Sequence, residues 1–221
     1  MPASSSSTSA DPVLGPGVRR RLPWVCWITI SRLALLIPFI YVLLHLNDDV
    51  LGGYARPLAL GLYVVMALSD WLDGFLARRL GLTSTLGAIL DPIADKVVIL
   101  SSLLLLAWPA TAVAEYRIPD WVVLFALSKD AVVLIGTLVL YLSTHRLTVR
   151  PNLAGKLTTF AQLILVLFVL ASVYVPDGWV LPIGTGLSIA ASVLAFAAML
   201  TYTRSGLLAV HDTPPGGGRA P

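Results

Sequence analysis

The sequence predicts an all-α integral membrane protein, a bundle of six transmembrane helices, and three observations carry that expectation. Hydrophobic residues make up 57% of the 221-residue chain and charged residues only 12%, against roughly 25% charged in an average soluble domain. The mean hydropathy is +0.85. Apolar stretches recur along almost the whole length, each close to the roughly 20 residues a helix needs to cross the hydrocarbon core. A water-soluble globule is excluded on these grounds. The formal charge of +3 does not point to nucleic acid, because basic residues in a membrane chain mark cytoplasmic loops.

Residues 1–17 (MPASSSSTSADPVLGPG) are rich in Ser, Pro and Gly and hold too few large apolar groups to offset the entropy of ordering, which predicts a disordered tail. They do not read as a secretory signal. The apolar run after Arg19, Arg20 and Arg21 continues to about Leu46, beyond an h-region of roughly 7–15 residues and without a small-residue cleavage site. The stretch Val18–Pro23 is compatible with a short interfacial helix whose arginines face anionic head groups.

The first apolar segment, residues 22–46, ends at Asn47-Asp48-Asp49 and Gly52-Gly53, and the second, 55–78, is separated from the third, 86–108, around Gly81. Pro109 and Pro119 bracket the link to the fourth, 118–142. Pro151 precedes the fifth, 153–175, and Pro176 with Gly178 opens the sixth, 179–203. The expected membrane domain is 18–205, followed by a flexible tail over 206–221. Cys26 stands alone, with neither a disulfide partner nor metal-site spacing, and reads as a packed or lipid-facing apolar residue.

Six spans put both termini on one side. Arg19, Arg20, Arg21, Arg78, Arg79, Arg146, Arg150, Lys156 and Arg204 all fall on that side, whereas the opposite loops offer Arg56 and Arg117. The positive-inside rule therefore predicts cytoplasmic termini in a bacterial-type inner or plasma membrane. Trp24 and Trp27 near inner ends, and Trp108, Trp121 and Trp179 near outer ends, agree as interfacial anchors.

The main functional signal is a cluster of acids. Of the twelve acidic residues, Asp70, Asp73, Asp91 and Asp95 fall within one 26-residue window at the inner ends of the second and third segments. Spacings of three and four place each pair on one helix face. The short link predicts antiparallel neighbours whose acid pairs converge. Carboxylates near membrane depth are costly and face a bundle interior or a wet cavity. Neutralisation by Lys96 and Arg78, as a buried ion-pair network, is one reading of the cluster. Oxygen-only donors with no His or Cys nearby point instead to a hard cation, Mg²⁺ or Mn²⁺, and four carboxylates suit two ions. Gly74, Ala77 and Gly87 leave the backbone open to close approach, and Arg78 can meet phosphate bidentately. Metals with a phosphate-binding Arg imply phosphoryl chemistry.

The window SDWLDGFLARRLGLTSTLGAILDPIADK reads Asp70-x2-Asp73-Gly74-x2-Ala77-Arg78-x8-Gly87-x3-Asp91-x3-Asp95. It resembles, at every fixed position, the signature of the CDP-alcohol phosphatidyltransferase family. The six-segment layout, Pro23…Thr29-x2-Arg32…Pro38 and GKLTTFAQ at 155–162 extend the resemblance over about residues 20–205. The opening segment departs from the common pattern in lacking Asn after Pro23.

The resemblance implies transfer of a phosphatidyl group from CDP-diacylglycerol to an alcohol hydroxyl, releasing CMP. Asp70, Asp73, Asp91 and Asp95 would hold two divalent ions on the diphosphate, and Asp95 would also be the general base. Gly74, Ala77, Arg78, Gly87 and Thr29 would line the CDP site, with Arg32 as a further contact. Lys129, Arg150 and Lys156 would grip a phosphate on the acceptor, and the active protein would be a homodimer. Glycerol-3-phosphate and phosphatidylglycerol both remain open as acceptors, with inositol phosphate a third. His145 and Arg146 read as a solvated loop reinforcing topology.

A different class, a transporter using the acids as an ion pathway, predicts acids spread along depth or an inverted repeat. The acids lie at one end, and 118–203 carries no counterpart of the Asp pattern. A catalytically dead scaffold would be favoured had one of the four Asp been replaced.

Overall fold

A computed structural model describes residues 22–51, 53–80, 85–144 and 153–211. Six α-helices run through them: α1 (Leu22–Leu44), α2 (Ala55–Leu80), α3 (Thr85–Ala107), α4 (Asp120–Thr144), α5 (Leu153–Ala171) and α6 (Asp177–His211). Short 3₁₀ turns, Asp49–Leu51 and Ser172–Tyr174, lead into α2 and α6. The described residues contain no β-strand. The predicted interfacial helix begins outside them, while Leu22 and Pro23 belong to α1.

The helix boundaries follow the breakers in the sequence. Gly53 adopts φ +80° in the turn before α2, a left-handed conformation that glycine takes without a Cβ penalty. Pro176 immediately precedes α6, where the chain turns back. Ala34–Leu44 forms a shorter apolar stretch within α1, whereas Leu153–Tyr174 and Asp177–Arg204 are long and apolar enough to cross a membrane. The apolar run of α4 is interrupted by Lys129 and Asp130.

The bundle is built from two groups of helices. α1 lies against both α2 and α3, and α6 lies against α4 and α5. α5 joins the groups by packing on α2 and α3, and α3 also meets α4. Among the described residues, α1 and α5 each pack on both the second and the third helix, the pair expected as direct antiparallel neighbours. The core follows this arrangement. Phe39 and Leu43 of α1, Tyr63 and Met66 of α2, Leu103 and Leu106 of α3, and Leu165 and Val169 of α5 are fully buried. The Phe39 and Tyr63 rings lie 5.8 Å apart, and the Tyr63 hydroxyl donates to the Leu163 carbonyl oxygen of α5 at 3.3 Å.

One end of the bundle is tied by the 108–119 connection. Asn47 Nδ2 donates to the carbonyl oxygens of Ala110 and Ala112 at 3.1 and 2.9 Å. Arg56 Nη1 donates to both Glu115 carboxylate oxygens, at 2.5 and 2.6 Å. The Tyr116 ring packs over Gly184, where a Cβ would stand 2.8 Å from ring carbons, and its hydroxyl bonds Ser188 at 2.9 Å. Trp108 and Trp179 are exposed at this end, as interfacial anchors would be. Asp70 and Asp73 late in α2, and Lys156 early in α5, therefore fall toward the opposite end, with Lys96 and Lys129 nearer the middle of α3 and α4.

Candidate active site

Alternation of helix direction brings the last turns of α2, the first turns of α3 and α5, and the final part of α6 to the same end. α2 carries Asp70 and Asp73, and α3 carries Asp91 and Asp95. The Asp70 and Asp95 side chains are described and half-buried. Those of Asp73, Gly74, Ala77, Arg78, Gly87 and Asp91 lie outside the described residues, as do those of Thr29 and Arg32 on α1 and the whole of Arg150. Among the described residues no three His, Cys, Asp or Glu side chains converge on one point. The donor chemistry of the acid segment nonetheless fits a hard divalent cation, since Asp70 and Asp95 present carboxylate oxygens from two different helices.

Beside α3 the structure opens a cavity of about 410 Å³, within the range of small-molecule sites, roughly 300–1,000 Å³. Its charged wall is made by Lys96 of α3, Lys129 and Asp130 of α4, and Lys156 of α5. Gly155, Thr159 and Phe160 of α5 and Tyr202 of α6 complete much of the rest. Three ammonium groups against one carboxylate make a cavity suited to an anion. Lys129, of which only 6% is exposed, would be unstable there without a partner. Asp130 supplies it, with Lys129 Nζ at 3.3 Å from the Asp130 Oδ1 atom. The same oxygen accepts a hydrogen bond from Lys96 Nζ at 2.8 Å. Lys156 has no ion-pair partner among the described residues.

Lys129 and Lys156, 27 positions apart in sequence, thus line one cavity. Lys96, which one reading of the acid cluster would use as a counter-charge, bonds Asp130 of α4. Two wall residues, Thr159 and Tyr202, were not singled out by sequence reasoning. Thr159 belongs to the GKLTTFAQ segment, and its hydroxyl donates to the Gly155 carbonyl oxygen at 3.2 Å. Tyr202 had no signal, because an aromatic near a span end reads as an interfacial anchor.

Half-buried carboxylates on α2 and α3, with a basic cavity beside α3 in a bundle whose described residues are helical and apolar, suit an enzyme that handles a phosphorylated substrate. The family model for CDP-alcohol phosphatidyltransferase matches residues 24–203. The chain belongs to the CDP-alcohol phosphatidyltransferase family and is a transferase. It is 34% identical over 182 residues to CDP-diacylglycerol–glycerol-3-phosphate 3-phosphatidyltransferase of Sodalis glossinidius, covering 80% of this chain and 90% of that one. The enzyme of the same name from Salmonella choleraesuis is 32% identical over 173 residues, covering 76% and 86% of the two chains. A chloroplastic/mitochondrial enzyme of Arabidopsis thaliana is 30% identical over 153 residues, 65% of this chain and 50% of its own.

Proposed function

We propose that this chain transfers the phosphatidyl group of CDP-diacylglycerol to glycerol-3-phosphate, releasing CMP. The observation that carries the reading is the cavity lined by Lys96, Lys129, Asp130 and Lys156, because Lys96 directly follows Asp95 on α3. An acceptor phosphate held by these ammonium groups would bring its glycerol hydroxyl toward the acid segment. The relatives from Sodalis and Salmonella carry glycerol-3-phosphate as the acceptor in their names, which favours it over phosphatidylglycerol and inositol phosphate.

In this mechanism the acceptor oxygen attacks the phosphorus of the phosphatidyl group, the bond from that phosphorus to the CMP oxygen breaks, and CMP leaves with the electron pair. Asp95 takes the hydroxyl proton. Asp70, Asp73, Asp91 and Asp95 would hold two divalent ions, Mg²⁺ or Mn²⁺, which supply charge neutralisation at the attacking and leaving oxygens when bound. Gly74, Ala77 and Gly87 leave room for the nucleotide, Arg78 meets its phosphate, and Thr29 is a further contact. Lys129, Arg150 and Lys156 orient the acceptor phosphate as point charges and a fork.

We further infer that all six helices cross the bilayer, with residues 18–205 forming the membrane domain, the 1–17 and 206–221 tails cytoplasmic, and the protein a homodimer. The distribution of basic residues supports that orientation. It leaves the acids and the cavity at the cytoplasmic end, where a water-soluble nucleotide and acceptor arrive while acyl chains stay in lipid.

The test is CMP release by the purified full-length protein in detergent with CDP-diacylglycerol and Mg²⁺, offering glycerol-3-phosphate, phosphatidylglycerol and inositol phosphate separately. Release with glycerol-3-phosphate alone is the expected result. Release with phosphatidylglycerol alone would assign the other acceptor, and no release with any would overturn the reading.

A further inference from the structure

Tyr202 contributes the α6 wall of the lysine-lined cavity, and its place depends on a glycine. A Cβ at Gly155 would stand 2.7 Å from the Tyr202 hydroxyl and 3.4 and 3.5 Å from ring atoms Cε2 and Cζ. The phenol therefore occupies the space that a side chain at 155 would fill. Thr159 on the same wall has already committed its hydroxyl to the Gly155 carbonyl oxygen. No described residue accepts a hydrogen bond from the Tyr202 hydroxyl. The half-buried phenol and the Lys156 ammonium are thus two hydrogen-bond donors on this wall without an acceptor among the described residues.

We propose that Tyr202, seated over Gly155, is a specificity-determining residue for the acceptor: its hydroxyl donates to the phosphate of a small phosphorylated polyol, and its ring bars an acceptor carrying acyl chains. The inference rests on the glycerol-3-phosphate reading and deepens it. A phenol adds to the lysines what they lack, a donor of fixed direction on a stiff ring, whereas an ammonium is a flexible point charge. Losing a single hydrogen bond to a charged group weakens affinity about tenfold or more.

The test uses the full-length enzyme with CMP release as readout, varying each substrate in turn. Tyr202→Phe keeps the ring and removes the donor, so the KM for glycerol-3-phosphate rises about tenfold while that for CDP-diacylglycerol stays. Gly155→Ala pushes the phenol aside without deleting it and raises the same KM. Tyr202→Ala opens the wall, and the ratio of kcat/KM for phosphatidylglycerol over glycerol-3-phosphate rises. A merely structural tyrosine would move both substrates' KM together or neither. Wild-type acceptor KM in Tyr202→Phe, or an unchanged ratio in Tyr202→Ala, overturns the proposal while the acceptor reading stands. A wild-type enzyme that uses phosphatidylglycerol alone overturns both.

Discussion

Lys96 Nζ and Lys129 Nζ converge on one atom, the Oδ1 oxygen of Asp130, at 2.8 and 3.3 Å. The shared carboxylate ties α3 to α4 beside the acid segment and balances a nearly buried lysine. It is the joint between the two halves of the candidate active site.

Removing that carboxylate leaves the buried Lys129 charge uncompensated. Asp130→Asn is expected to lower stability by about 3–5 kcal/mol. Replacing the pair together, Lys129→Met with Asp130→Leu, should cost less than Asp130→Asn alone, because no isolated charge remains. Thermal unfolding in detergent measures both, and a double variant less stable than Asp130→Asn would contradict the account.

The acids predict two kinetic signatures. Asp95→Asn is expected to abolish CMP release while CDP-diacylglycerol binding is partly retained, if Asp95 is the proton acceptor proposed above. Asp70→Asn should weaken turnover in a way that extra Mg²⁺ partly restores, because the proposed metal site would lose one carboxylate ligand. Binding of labelled CDP-diacylglycerol and a Mg²⁺ titration of the rate separate the two roles.

At the opposite end, Arg56 and Glu115 give stability a pH dependence. Burial alone would raise the Glu115 carboxyl, but hydrogen bonds from Arg56 and from its own backbone amide, with the Arg56 charge, outweigh it and hold the carboxyl below its usual value of 4.5. A carboxyl depressed in the folded state stabilises above its unfolded value, and that contribution is lost as pH falls through the folded one. Unfolding midpoints should therefore drop as pH falls below about 4.5. Glu115→Gln should reduce this drop and cost about 1 kcal/mol at neutral pH.

Glycines on α6 separate a packing requirement from a helix preference. A Cβ at Gly184 meets Tyr116 ring carbons at 2.8 Å, and Tyr116 is buried and bonded to Ser188, so it cannot yield. Gly184→Ala is expected to cost about 1–3 kcal/mol. A Cβ at Gly186 would meet nothing within 4 Å, and Gly186→Ala should be neutral or stabilising by up to about 1 kcal/mol. Chemical or thermal unfolding of the two variants side by side checks the contrast.

Much of the fold was legible because its determinants are local. Apolar runs of near-membrane length, broken by Asn47-Asp48-Asp49, Pro109 and Pro176, specify six helices, and the observed bounds differ from the expected ones by a few residues at most span ends. That Asp70 and Asp73 share one helix and Asp91 and Asp95 the next was equally legible, since it follows from spacing. Partner choice was not. That α1 and α5 stand against both α2 and α3 depends on how whole faces fit, and hydropathy is blind to which face meets which.

By itself, then, the amino-acid order determined the helical class, the end of the bundle that carries the carboxylates and the family signature, because each is written in short-range spacing and composition. Only the tertiary structure decided that Lys96 bonds Asp130, that Lys129 and Lys156 share a cavity, and that Tyr202 stands where Gly155 has no side chain. Those relationships join residues 34, 27 and 47 positions apart, and they arise from the close packing of α3, α4, α5 and α6, in which one absent Cβ or one shared oxygen sets where a neighbour can lie.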